Sequence, residues 1–499
     1  MTEMEQPTTH LTMIICDIIV PVHNAEATLE ETIRSAMRQV IPAHLIPAFQ
    51  DITLVIQVCC FDDGSTDSSW DILTRLQKEY HTQKLETDTT TPDQKDTNIP
   101  IDATLLIAKS KDGTGRGAGY ARNRAAELSG KHATNEQNPA NRFLCLLDSD
   151  DLMHETRVAE QCSALLALPP QERHRTLLGC QIVRDPPDST WHYCQWANGL
   201  TDERLWLEKF REVTVLQPTW MLCMSRFQEL RGYIEPDQSS TTSSSTNNIL
   251  RLVHPTFDTP ESLRLAEDLR FFHAHLHARG LLRLHRPDVP LVTYRHRANQ
   301  SQSSQTSRKL LLHLRALAFE KCVLSNYQSD NAWSTNNPHK GSFVVWGAGR
   351  DGKDFVKALS EPCRKRVYCF VDVDSKKIEQ GFYVNKNLKI PIVHFSLLAK
   401  DAETQRQLLQ GVSFGKIDKG KPKDVPERKK HKSDVNKQQS GSVETPMAMS
   451  PAVAKVVDVS CFPELPVVVC VALYRTNGAL ENNVKSISRE EGVDLWHFN

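Results

Sequence analysis

Apolar residues in the first 150 positions follow two alternating rhythms. Continuous runs rich in β-branched side chains occur at 13–22 (MIICDIIVPV), 52–61 (ITLVIQVCCF), 104–110 (TLLIAKS) and 142–147 (RFLCLL). Short apolar runs of this kind read as strands buried on both faces. Between them, Ala25, Leu29, Ile33, Ala36 and Met37 fall at helical spacing within 25–39. Residues 67–80 and 119–129 predict two more helices, with Asp67 as the cap of the first of these. Strands alternating with helices predict a parallel, doubly wound α/β sheet. Ligands of such sheets bind at the carboxyl ends of the strands.

Beyond residue 151 the rhythm is broken by polar stretches. Inserts are expected at about 81–102 and 237–250, the second containing a Ser/Thr run, and a helix is expected over 260–278. The polar stretch 299–307 then leads into the helical segment 309–324. A second α/β pattern starts at GSFVVWGAGRDGKDF (341–355) and continues through 366–374 and 389–395. A polar segment at about 401–455 interrupts it, and it resumes at 465–473 and ends at 493–498. The chain therefore reads as a first domain over 14–300 and a second over 310–499, the latter a helical connector followed by a smaller Rossmann-like unit.

Composition narrows the function classes. The 499 residues carry 60 Lys+Arg against 61 Asp+Glu, a net charge of −1, so a globally basic nucleic-acid protein is excluded and only a local basic segment remains open. Such a segment exists at 416–437, where Lys416, Lys419, Lys421, Lys423, Arg428, Lys429, Lys430, Lys432 and Lys437 cluster. It reads as a solvated loop, as a phosphate-tracking arm for RNA, or as a nuclear-import address. No apolar run approaches the ~20 residues of a membrane span. The polar N-terminus MTEMEQPTTH does not read as a secretory leader. The 13 cysteines form no CxxC pair and read as reduced, mostly buried thiols, which points to the cytoplasm.

Three motifs carry chemistry. LLDSDD (146–151) ends a buried strand with Asp148 and Asp150 on one face. Two carboxylates so placed repel unless a cation or proton lies between them. FDDGSTD (61–67) is a Gly turn after a strand, in which Asp62 or Asp63 can accept from a base or ribose, Asp63 being favoured. PVHNAEATLEE places His23 and Asn24 between a strand and a helix. Further along, Glu267-Asp268 is an acidic pair in the predicted 260–278 helix. The Gly347-Ala348-Gly349-Arg350-Asp351-Gly352 turn follows a strand, and Asp372 ends the next one. That pattern suits either a tight strand-to-helix turn or a nucleotide or RNA-phosphate site.

Pro21-Val22-His23-Asn24, Asp63 to Asp67, Gly117-Ala118-Gly119-Tyr120-Ala121-Arg122-Asn123 and Asp148-Ser149-Asp150-Asp151, in that order, resemble the nucleotide-sugar domain of family 2 inverting glycosyltransferases with the GT-A fold. His23 stands where that family usually has Tyr. The resemblance implies that Pro21, His23, Asn24, Asp63, Arg122, Asp148 and Asp150 bind the nucleotide sugar. It implies a divalent Mn²⁺ or Mg²⁺ held by Asp150, a general base at Asp268, and Glu267 on the acceptor side. The family's Tyr-Arg-x-His motif reads Tyr294-Arg295-His296-Arg297 here, so either His296 contacts the metal or Arg297 pairs with the phosphates. The stretches 183–187 and 218–220 with Trp220, the Glu-Asp-Leu helix and the WGAGRDG segment together look like the β-1,3-N-acetylglucosaminyltransferase-like family linked to queuosine galactosylation. That likeness implies UDP-galactose as donor, queuosine in a tRNA anticodon as acceptor, and Trp220 as an acceptor contact. Transfer of N-acetylglucosamine or another sugar from UDP to a glycan, lipid or protein is the alternative.

Overall fold

The computed structural model describes residues 12–87, 98–131, 141–235, 250–254, 258–296, 306–325, 332–385, 388–410, 448–472 and 476–498. Of the expected polar segments, 88–97, 237–249, 299–305 and 411–447, with the basic run 416–437, lie outside the described residues. The chain divides into two compact units, Met1–Ala318 and Phe319–Asn499.

The first unit is built on a seven-stranded sheet. Its strands are β1 (Thr12–Val22), β2 (Ile52–Asp62), β3 (Asp102–Lys109), β4 (Arg142–Leu146), β5 (Thr176–Cys180), β6 (Met221–Cys223) and β7 (Leu281–His285), in the spatial order β7-β5-β6-β4-β1-β2-β3. All neighbours are parallel except β6, which runs antiparallel to both β4 and β5. β1 lies at the centre because its β-branched side chains are buried on both faces, Ile14 to Val22 all falling below 6% exposure. The one charge in that run, Asp17, is paired with Arg142 at the start of β4. Chain order reverses between β1 and β4, which makes their carboxyl ends a topological switch point.

Helices α1 (Leu29–Met37), α2 (Ser69–Thr87), α3 (Ala118–Lys131), α4 (Arg157–Leu166) and α5 (Glu267–His277) belong to the same unit. α1 buries Leu29, Thr32, Ile33 and Ala36, the face that its periodicity predicts. α2 runs seven residues past the expected helix end, so 81–87 of the expected 81–102 insert is helix. The residues there (HTQKLET) include the good helix formers Gln, Lys, Leu and Glu.

The expected 260–278 helix is two helices. Pro260–Leu263 is closed by a reciprocal Thr259–Ser262 capping box, and α5 starts anew after Ala266, which adopts φ +54°. A left-handed alanine costs about 1 kcal/mol, and a buried ion pair holds it in place. Arg270 on α5 donates to both carboxylate oxygens of Asp258, at 2.6 and 3.1 Å. The break gives Glu267 and Asp268 a helix N-terminus of their own, where anions are favoured.

A small sheet of Leu152–Met153, Val292–Arg295 and Ile182–Asp185 joins the segments after β4, β5 and β7.

The second unit holds a six-stranded sheet in the order Phe382–Asn385, Leu388–His394, Val367–Asp372, Phe343–Trp346, Val467–Val469, Leu495–His497. All are parallel except the edge strand Phe382–Asn385, a Rossmann-like arrangement with the first strand central. Gly347 and Gly352 pack the following helix onto the sheet: a Cβ on Gly352 would lie 2.0 Å from the Gly347 carbonyl. Asp372 accepts from the Ala348, Val373 and Asp374 amides and from Lys377, so its carboxylate is filled within the turn.

All thirteen cysteines are free thiols. Among the described residues no helix is long and apolar enough to cross a membrane.

Candidate active site

The first wall of the site comes from the ends of β1 and β2. Pro21 is the buried penultimate residue of β1, paired with Phe61. His23 and Asn24 follow it into solvent. Asn24 takes φ +49°, a conformation Asn tolerates, and its side-chain oxygen accepts from the Thr66 amide at 2.8 Å. The His23 Nδ1–H donates to the Asp63 carbonyl at 3.0 Å. That fixes the tautomer and leaves Nε2 as the acceptor.

Asp63 itself faces inward, only 2% exposed. Its Oδ2 accepts from the amides of Arg116 and Gly117, both at 2.7 Å, and its Oδ1 is buried without a partner. Burial pushes its pKa up against those two amides. The glycine-rich stretch 113–117 thus folds over the 61–67 turn, and Gly64 (φ +77°) is required there because a Cβ would lie 2.4 Å from the Gly113 carbonyl oxygen. Asp67 acts at the helix start: Oδ1 accepts from the Ser69 amide at 2.9 Å.

The second wall is the acid cluster after β4. Arg122 on α3 reaches it from below: Nη2 donates to Asp148 at 2.6 Å and Nη1 to Glu267 at 2.7 Å. Burial works against the guanidinium's charge, but Asp148, Tyr233 and Glu267 outweigh it and keep Arg122 ionised. Its neighbour Asn123 is structural, bonding the backbone of Tyr233 in both directions. Asp151 is fully buried. Its Oδ1 accepts from the Arg295 amide at 2.9 Å and its Oδ2 has no partner. Burial, then the charges of Asp148 and Asp150, hold its pKa well above the usual carboxylate range.

Asp268 is the half-buried second residue of α5. Burial and the neighbouring Glu267 charge push its pKa up to about 7, against the Leu269 amide and Arg122. A carboxylate with that pKa is matched to general-base work near neutrality. The remaining wall holds three residues to which the sequence assigned no site role. Arg184 pairs with Tyr294 in the small sheet, its guanidinium 4.0 Å from the Tyr294 ring centroid and 6.0 Å from that of Tyr193. Tyr294 stood in the Tyr-Arg-x-His motif and Arg184 in the 183–187 stretch, neither with a role of its own; no pattern marked Tyr193.

One expected site residue stands elsewhere. Trp220 is fully buried and its indole N–H donates to the Val215 carbonyl at 2.6 Å, so it packs the core beside β6 and presents nothing to an acceptor. His296 is exposed past the end of its strand, its amide donating to the Asp185 carbonyl at 2.8 Å. Arg297 lies outside the described residues. Among the described residues no three His, Cys, Asp or Glu side chains gather to hold a metal. Asp148 and Asp150, with the unpartnered Asp151 oxygen behind them, still fit a hard divalent cation that takes its other ligands from a diphosphate.

Residues 17–87 match the family model described as glycosyl transferase family 2. Similar solved structures include S. aureus TarS 1-349 in complex with UDP-GlcNAc (17% identity, 71% of this chain and 84% of that one, TM-score 0.40) and the same protein in complex with UDP (16%, 71% and 83%, TM-score 0.35). That match runs from β1 through α2 of the first unit.

Proposed function

We propose that the first unit is an inverting glycosyltransferase that moves a sugar from a UDP-sugar to an acceptor hydroxyl. One observation carries this reading: Arg122 bonds Asp148 and Glu267 together, so the acid cluster and the base-bearing helix meet at one site. His23, Asn24 and Asp63 would line the nucleotide, with the unfilled Asp63 Oδ1 ready for an N–H donor. Asp268 would take the proton of the acceptor hydroxyl as its oxygen bonds the anomeric carbon and the UDP oxygen leaves with its electron pair. Arg122 would keep Asp148 and Glu267 in place during the transfer. Asp150, with Asp148, would hold a divalent cation. That ion, when bound, offsets the charge growing on the diphosphate.

The donor sugar is decided by experiment. Purified protein is incubated with Mn²⁺ or Mg²⁺ and a panel of UDP-sugars, and UDP release and product mass are read. UDP-N-acetylglucosamine comes first, against glycan, lipid and protein acceptors. UDP-galactose with queuosine-containing tRNA is the second reading, supported by the order of segments from 183 to 380 and by the basic run 416–437. Equal modification of tRNA with and without queuosine would remove that second reading. Failure of every UDP-sugar to bind or turn over would remove both.

A further inference from the structure

Tyr193 and Tyr294 flank the space between the base and the acid cluster, and nothing in the donor chemistry uses them. Tyr294 lies next to Arg295, whose amide is bonded to Asp151. Tyr193 lies on the short helix Trp191–Gly199. The buried Arg184 guanidinium stands between the two rings and is held by a 2.8 Å bond from its Nε to Thr190 Oγ1. One face of each ring is thus turned to a cation, which leaves the hydroxyls as the polar recognition groups. Among the described residues neither hydroxyl has a hydrogen-bond partner, and neither is sealed from solvent.

The carboxylates nearest the two phenols differ. Tyr193 feels Glu212 and Asp268, whereas Tyr294 feels Asp151, Asp148 and Asp150. Burial, with those charges, raises both phenol pKa values, so both are neutral donor–acceptors at physiological pH. A negatively charged acceptor would meet five carboxylates here, and a purely apolar one would strand two phenols.

Resting on the transferase reading, we infer that Tyr193 and Tyr294 form the acceptor subsite, and that it takes a neutral ring carrying neighbouring hydroxyls. Arg184 is a positioning residue that sets the spacing of the two rings.

Saturation-transfer NMR on the full chain with UDP and Mg²⁺ tests this. The probes are methyl β-D-galactopyranoside, methyl β-D-N-acetylglucosaminide and queuosine nucleoside. At least one is expected to bind the wild type. Tyr193→Phe and Tyr294→Phe keep the ring over Arg184 and are each expected to weaken that probe about 5–10-fold, the loss of one hydrogen bond. The UDP dissociation constant, by calorimetry, should not move in either variant. Three results would overturn the subsite: no probe binding to the wild type, unchanged probe affinity in both variants, or an equal fall in UDP affinity. UDP that fails to bind the wild type would count against the transferase reading itself; UDP binding with unmoved probe affinity counts against the subsite alone.

Discussion

Arg122 on α3 and Glu267 at the start of α5 are 145 positions apart in the chain and 2.7 Å apart in space. This contact, with the 2.6 Å bond from Arg122 to Asp148, closes the site from below. Replacing Arg122 with Met should leave two carboxylates facing each other without a counter-charge. The expected loss is roughly 3–5 kcal/mol of stability, the usual cost of removing one partner of a buried pair. Urea denaturation measures it, and Arg122→Lys should recover only part because one ammonium does not span both carboxylates as a guanidinium does.

Asp268, with its pKa pushed up to about 7, makes turnover pH-dependent in a definite direction. Below that pH the carboxyl is protonated and no base is present, so the maximal rate should fall roughly tenfold per pH unit. Asp268→Asn should abolish most turnover and this limb with it, while UDP affinity stays near wild type. A weakened UDP affinity with an unchanged maximal rate would place Asp268 on the nucleotide.

The same raised pKa has a stability consequence. The folded state holds the Asp268 proton more tightly than the unfolded chain does. Its contribution is therefore fully present below the ordinary carboxyl pKa and is lost as pH rises through about 7. At pH 8 the Asp268→Asn protein should melt at a higher temperature than the wild type, and at pH 4 the difference should vanish. Scanning calorimetry at the two pH values checks both the size and the sign.

Asp150→Asn removes one hard oxygen donor from the acid cluster without touching the Arg122 bridge. Metal-stimulated turnover should drop on the order of 10²-fold, the scale of losing one electrostatic stabiliser of the transition state. A rate unchanged at saturating Mn²⁺ would take Asp150 out of the site.

Asp63→Ala should free the amides of Arg116 and Gly117 and release the glycine-rich stretch from the 61–67 turn. The donor KM should rise about tenfold or more as the nucleotide loses its Asp63 contact, a hydrogen bond to a charged group being worth about 1.5–3 kcal/mol, and the melting temperature should fall because two amides lose their acceptor. Isothermal titration with UDP provides the direct measure.

Much of this site is legible along the chain because its parts lie at strand ends. The runs 13–22 and 142–147 can only be buried strands, so the residues that follow them must surround the carboxyl edge of a sheet. Asp63, Asp148 and Asp150 follow from that alone. Other features come from contacts between distant segments. The break at Ala266 is invisible because alanine has no preference for positive φ; the Arg270–Asp258 pair imposes it. Trp220 is implied as an acceptor contact by the resemblance, yet it packs in the core just before β6. Arg184 and Tyr294 meet only through the parallel register of two four-residue strands separated by more than a hundred positions.

The buried pair of Asp17 and Arg142 bears on which amino-acid alignments of the sheet are permitted at all. Arg142 donates to Asp17 through two nitrogens and also to Gln57 and the Ser129 carbonyl, so β4, β1, β2 and α3 share one set of bonds. An all-apolar β4 sliding past β1 by one position would keep much of its burial while turning every side chain to the opposite face. Asp148 would then point away from Arg122, in a domain that still looked folded. The charge pair makes that slipped domain expensive, because Asp17 would remain in the core with nothing to neutralise it. Substituting both residues by a matched apolar pair should therefore yield a protein of ordinary stability in which Asp148 and Asp150 occupy more than one register.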